Sequence, residues 1–241
     1  MRNQSESTFV IAEAGVNHNG DMGMAKKLID VAADAGANFV KFQTFTADKL
    51  VTKYTKKADY QNKTTAESES QYAMLKKLEL DRDTHKKLIK YCKAKKIKFL
   101  SSPFDLESLN LLFSLKIFNI KIASGEINNF ILLKNLAKRA RKIFISTGMS
   151  TLNEVSQAIK ILIKNGAKRK NITVLHCHSD YPTELDDVNL FAMKTMKEKL
   201  SINVGYSDHT IGNETAIAAT ALGAKVIEKH ITLNKSMRGP D

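Results

Sequence analysis

The chain has 241 residues, 43% hydrophobic and 26% charged, which suits one soluble globular domain and lies close to the length typical of a (β/α)₈ barrel. No uncharged apolar run approaches a membrane helix, and the polar start MRNQSEST followed by an apolar stretch broken at Glu13 is not a signal peptide. Two cysteines, Cys92 and Cys177, at no metal-ligand or redox spacing, point to a reducing cytoplasm without a disulfide framework.

A net charge of +13 raises the question of nucleic acid. The lysines sit in helix-like segments such as KKLIKYCKAKKIK (86–98) and KRARK (138–142), with no interleaved aromatics to stack on bases. The basic residues therefore read as a solvated outer face that steers anionic substrates, and neither nucleic acid nor membrane is an expected partner.

Taken in chain order, eight short apolar runs alternate with segments of helical period. Residues 1–8 form a polar extension, and residues 9–241 the barrel. FVIAEAG opens the series and MAKKLIDVAADAGA (24–37) follows as a helix, with Leu28, Val31, Ala32 and Ala35 on one face and Gly36 at its C-terminus. NFVKFQT comes next, then residues 45–80, a long polar loop with a helical end that reads as a cover over the substrate, with Tyr60 and Gln61 near its middle. THKKLIKYCKAKK (84–96), with a solvated His85, leads into KFLSSP, and LESLNLLFSL (106–115) into IFNIKIASGE. KIFISTGM, NEVSQAIKILIKNGA (153–167), ITVLHCHSDY, DDVNLFAMKTMKEKL (186–200), INVGYSDHT, NETAIAATALGA (213–224) and AKVIEKHIT complete the alternation. Such βαβ units imply a parallel sheet, and eight of them favour a closed (β/α)₈ TIM barrel over an open sheet. After the eighth strand only NKSMRGPD follows, so the last barrel helix is expected to be missing.

Each apolar run ends in polar or ionisable residues, and in a barrel those ends line one site. Lys41 and Lys121 lie within buried strands, where an ammonium needs an anion. Ser102, Ser124, Ser146 and Ser207 add hydroxyl donors at four strand ends, so lysines and serines together can cradle a phosphate plus a carboxylate. His209 and His230 end neighbouring strands, about 4.8 Å apart, and can share a divalent ion such as Mn²⁺ or Mg²⁺, with Glu13, Glu126 and Asp241 as further ligands or bases. His176 and His178 flank Cys177 on one face, with one of them reaching the site, and His18 belongs to the rim. A phosphate-plus-carboxylate cradle beside a Lewis acid points to an enol phosphate condensing with a carbonyl. Alternatives from the residues alone are a metal aldolase or isomerase on the same barrel and a basic binding protein.

Nine motifs in order carry a resemblance: AEAGVNHNG, VKFQTF, SSPFD, KIASGE, ISTGM, LHCHSDYPT, GYSDHT, IEKHIT and RGPD. From about Phe9 to Asp241 the chain resembles the catalytic barrel of the sialic acid synthases, a family that includes N-acetylneuraminate and legionaminic acid synthases. The resemblance implies condensation of phosphoenolpyruvate with an open-chain N-acetylmannosamine-type sugar, with water, to a nonulosonic acid and phosphate. It places Lys41, Ser102, Lys121, Ser124, Ser146 and Ser207 on phosphoenolpyruvate, and His209 and His230 on the metal. It places Glu13, Glu126, Tyr181 and Asp241 on the sugar and its aldehyde proton; Gln43 belongs to the same substrate-binding set, with Lys121 also catalytic. Ser102 stands where the family often has Thr, and Ser179 where some N-acetylneuraminate synthases have an Asn that contacts phosphoenolpyruvate. Family members continue into a final helix and a small antifreeze-like domain, which in a domain-swapped homodimer lends an arginine to the partner's site. The alternatives are thus a legionaminic acid synthase using 2,4-diacetamido-2,4,6-trideoxymannose and an inactive truncated barrel.

Overall fold

The structure is a computed structural model that describes residues 7–58, 61, 62, 65 and 69–240. Eight strands follow one another around a closed barrel in chain order. They are β1 (Phe9–Gly15), β2 (Phe39–Thr44), β3 (Lys98–Pro103), β4 (Asn119–Ile122), β5 (Lys142–Ser146), β6 (Ile172–His176), β7 (Asn203–Asp208) and β8 (Val226–His230). β2 pairs with β3 in parallel, as do the successive pairs from β4 to β8. The (β/α)₈ expectation therefore holds. By its contacts the chain divides into two compact units, Ala12–Phe118 with His230–Asp241, and Met1–Ile11 with Asn119–Lys229.

The first unit carries α1 (Met22–Asp34), α2 (Ala47–Leu50), α3 (Gln71–Leu78), α4 (Arg82–Ala94) and α5 (Leu106–Ser114). α1 starts where Asp21 accepts from Met24 N at 2.6 Å, and Gly36 leaves it at φ +75°, a left-handed conformation that costs glycine nothing. Its buried face is Ala25, Leu28, Ile29 and Ala32; Val31, expected on that face, is 43% exposed. The helix is rotated by about one residue from the expected stripe because Ile29 rather than Val31 completes it. In β2 every residue except Gln43 is buried, as a parallel strand covered on both faces requires.

Residues 45–80 are more than a polar loop. Phe45, Met74 and Leu78 pack with Val16 in a satellite core, and Tyr72 and Lys76 hold Asp48 at 2.7 and 3.3 Å. Gln61 is buried and its Oε1 accepts from Ala58 N at 3.1 Å, while Tyr60 lies outside the described residues.

The second unit carries α6 (Phe130–Ala137), α7 (Leu152–Lys164), α8 (Phe191–Leu200) and α9 (Glu214–Ala221). α6 has no counterpart among the expected helical segments: FILLKNLA is apolar on most sides and buries Leu132, Leu133, Leu136 and Ala137. KRARK is not helix: its first four residues connect α6 to β5, and Lys142 opens β5. DDVNLFAMKTMKEKL begins with a single 3₁₀ turn at Leu185–Asp187 before α8 starts at Phe191. Thr151 and Glu154 form a reciprocal capping box at the start of α7. Residues 231–240 form turns and bends, without a helix. No helix among the described residues is long and apolar enough to cross a membrane.

Candidate active site

In the first unit, β1 and β2 bring Glu13 and Lys41 together. Both side chains are buried, with Lys41 Nζ 3.4 Å from Glu13 Oε2. The ammonium expected to wait for a substrate anion already faces a carboxylate, which offsets part of its desolvation. Gln43 lies opposite Ser102 in the β2–β3 register, and Ser102 is buried. The AEAGVNHNG turn after β1 holds the segment that leaves β8: Asn17 Nδ2 donates to Ile231 O at 2.9 Å and Asn19 Nδ2 to Arg238 O at 2.8 Å. His18 is buried rather than at the rim. Its Nδ1 accepts from Gly20 N at 3.0 Å, and burial, with His85 nearby, lowers its pKa from 6.5 to about 4. His230 ends β8 in this unit, and Asp241 lies outside the described residues.

His85, expected to be solvated, is fully buried. Its Nδ1 faces the carbonyl of Asp81 at 2.8 Å and its Nε2 faces Thr44 Oγ1 at 2.8 Å, which in turn lies 2.6 Å from Ser101 Oγ. A carbonyl only accepts, so Nδ1 carries the proton and a neutral ring accepts from Thr44. Burial lowers the His85 pKa and keeps the ring in that form. The chain of bonds fastens α4 to the residues next to Gln43 and Ser102. The spacing of His85, Leu88 and Cys92, all buried on one face of α4, was the sequence signal for it.

In the second unit, β4, β7 and β8 build a buried cluster. Lys121 Nζ lies 3.1 Å from Glu228 Oε1, and Ser207 Oγ donates to the same oxygen at 2.9 Å. Glu228 stands at an expected strand ending, and its partners come from strands distant in sequence, so its role does not show in the sequence. Next to it Asp208 is satisfied on every side, by Lys229 at 2.7 Å and by Thr210 N and Oγ1 at 2.9 and 2.7 Å.

A second group forms at the ends of β4, β5 and β6. Ser124 Oγ accepts from Gly148 N at 2.9 Å and lies 3.3 Å from Cys177 Sγ. A Cβ on Gly148 would come within 2.6 Å of Ser179 Oγ and 2.9 Å of Ser124 Oγ, so glycine is what lets these groups approach. Ser146 is buried, and its hydroxyl has no hydrogen-bond partner in the structure. An unsatisfied buried hydroxyl beside this group fits a ligand with acceptor oxygens. Glu126 is turned to its own helix start, where its Oε2 accepts from Asn129 Nδ2 at 2.7 Å.

His209 donates from Nδ1 to the carbonyl of His178 at 2.6 Å and stacks on Tyr181 with ring centroids 4.2 Å apart. That bond puts the proton on Nδ1 and leaves Nε2, 3.5 Å from Ser207 Oγ, as the ring's acceptor, the form a metal-ligating histidine needs, so His209 fits the role. Among the described residues, no three His, Cys, Asp or Glu side chains group as a metal site.

Both His176 and His178 border a cavity of about 700 Å³ between β6 and the starts of α7 and α8. His176 Nε2 and His178 Nδ1 are buried there without a hydrogen-bond partner. The His176 pKa falls from 6.5 to about 4, chiefly through burial and then through His178, against a backbone hydrogen bond with Asn189.

Comparison with known proteins gives this arrangement its context. N,N'-diacetyllegionaminic acid synthase of Campylobacter jejuni is 56% identical over 236 residues, 98% of this chain and 71% of that one. The Legionella pneumophila protein of the same name is 46% identical over 242 residues, 100% of this chain and 68% of that one. The crystal structure of N-acetylneuraminic acid (sialic acid) synthetase from Leptospira borgpetersenii, in complex with citrate, superimposes with a TM-score of 0.84 at 34% identity, covering 96% of this chain and 75% of that one. Residues 28–241 match the NeuB family, and with relatives of this identity along its whole length the chain belongs to that family.

Proposed function

We propose that this barrel condenses phosphoenolpyruvate with an open-chain 2-acetamido sugar and water, giving a nonulosonic acid and phosphate. The observation that carries the reading is its 56% identity to an N,N'-diacetyllegionaminic acid synthase, joined to a buried lysine–carboxylate pair in each unit and, in the second, a Ser146 hydroxyl without a partner. The shared name of two relatives, N,N'-diacetyllegionaminic acid synthase, supports 2,4-diacetamido-2,4,6-trideoxymannose rather than N-acetylmannosamine as the acceptor of this chain.

In this reading Ser124, Ser146 and Ser179 hold phosphoenolpyruvate, with Ser102 and Gln43 completing its surroundings. Lys41 and Lys121 neutralise its anionic groups, each balanced by the carboxylate that keeps a buried ammonium tolerable. Carbon 3 of phosphoenolpyruvate attacks the sugar aldehyde; water then adds to the oxocarbenium carbon, and phosphate leaves. Glu13 handles the proton at the aldehyde oxygen, with Tyr181, Glu126 and Asp241 on the sugar. His209 and His230 would hold a divalent ion, Mn²⁺ or Mg²⁺, which when bound would polarise the aldehyde. Phosphate release in the presence of phosphoenolpyruvate, Mn²⁺ and either sugar tests the function. Absence of release with both sugars sinks it. His209→Ala and His230→Ala are expected to abolish metal dependence; unchanged Mn²⁺ activation counts against the ligand assignment.

A further inference from the structure

The cavity beside β6 is not accounted for by phosphoenolpyruvate or by metal. It adjoins the phosphoenolpyruvate group directly, because Cys177 and Ser179 belong to both: Cys177 Sγ touches Ser124, and Ser179 Oγ abuts Gly148. At about 700 Å³ it falls within the size of small-molecule sites. Its character is mixed. Met149 and Phe191, 88% and 68% exposed, stand at its mouth, and Met196 and Val155 line it deeper in. Two imidazole nitrogens, His176 Nε2 and His178 Nδ1, are the buried polar atoms there without a partner. The Asn189 backbone engages His176, and its Nε2 is left without a partner in the wall of the cavity.

Resting on the proposed function, we infer that this cavity receives the 4-acetamido end of the acceptor sugar and makes the enzyme selective for the 2,4-diacetamido-2,4,6-trideoxy sugar over N-acetylmannosamine. The former carries one more amide and two more methyl groups. Its amide N–H donates to His176 Nε2, and the methyl groups pack against Met149, Phe191 and Met196. An imidazole acceptor already stripped of water discriminates against a sugar that does not reach it, because the nitrogen then stays unsatisfied. The backbone carbonyl of His178 orients His209, so the wall of this cavity also steadies the proposed metal ligand.

The test compares kcat/KM for the two sugars in the unsubstituted protein and in His176→Phe, which keeps a flat ring and removes the acceptor. The expected result is that the ratio favouring the diacetamido sugar falls about tenfold, the worth of one hydrogen bond. Phe191→Ala, at the exposed mouth, is expected to lower the same ratio and serves where His176→Phe does not fold. In parallel, the ring-proton NMR signals of His176 and His178 are followed while the diacetamido sugar is added to the unsubstituted protein with phosphoenolpyruvate; both are expected to shift. An unchanged ratio in both variants, or turnover with both histidine signals unmoved, overturns the cavity assignment and leaves the proposed function standing. Neither binding nor phosphate release with either sugar overturns the function and this inference with it.

Discussion

Replacing Glu228 by Gln removes one negative charge from the cluster of Lys121, Glu228 and Ser207 while keeping its volume and an acceptor oxygen for Ser207. Both charged side chains are 4% exposed, and Lys121 Nζ sits 3.1 Å from the carboxylate. Solvent therefore screens this pair little, and breaking such a pair from one side costs about 3–5 kcal/mol. That is a large part of the roughly 5–15 kcal/mol that holds an ordinary domain folded. At about 2–4 °C per kcal/mol for a chain of this size, Tm is expected to fall by about 6–20 °C. Calorimetry and urea unfolding measure it. The double substitution Lys121→Met with Glu228→Gln removes both charges and is expected to recover much of the loss. A Tm drop below about 3 °C for Glu228→Gln, or a double variant less stable than the single one, refutes the reasoning that these two charges depend on each other.

Gly148→Ala places a methyl group within 2.6 Å of Ser179 Oγ and 2.9 Å of Ser124 Oγ, so KM for phosphoenolpyruvate is expected to rise at least about tenfold with little change in Tm; steady-state kinetics with an unaltered KM counts against the cradle. The pKa of His18 is depressed from 6.5 to about 4, so the unfolded chain takes up a proton that the folded one refuses. Its stabilising contribution is present above the unfolded value and is lost as pH falls from 6.5 towards 4, at about 1.4 kcal/mol per pH unit. His18→Gln is expected to flatten the fall in urea midpoint between pH 7 and 5, and an equally steep fall means that other groups carry it.

Much of this protein was legible from one dimension. Strand ends show in sequence because a parallel strand is apolar on both faces until it reaches the rim, so the polar residue that breaks each run marks the boundary. KFLSSP and FVIAEAG coincide with β3 and β1 for that reason. Ser146 and Ser207 lie at those boundaries, while Lys41 and Lys121 stand out by type as ammonium groups inside apolar strands. Helices with one polar face, such as α7, were equally plain. α6 was not, because a helix apolar on most sides shows no period.

What only the tertiary structure decided is who faces whom. Glu228 becomes the counter-charge of Lys121 across strands far apart in sequence. His85 changes from a solvated helix residue to the buried link from α4 to Thr44 and Ser101. Glu126 turns to Asn129. His176 and His178 end a strand in the sequence but border a cavity with two unsatisfied nitrogens in space. The physical reason is the same throughout: a residue's type and period follow from local burial, whereas its partner, and with it its charge state and tautomer, is set by side chains that only folding brings within about 3 Å.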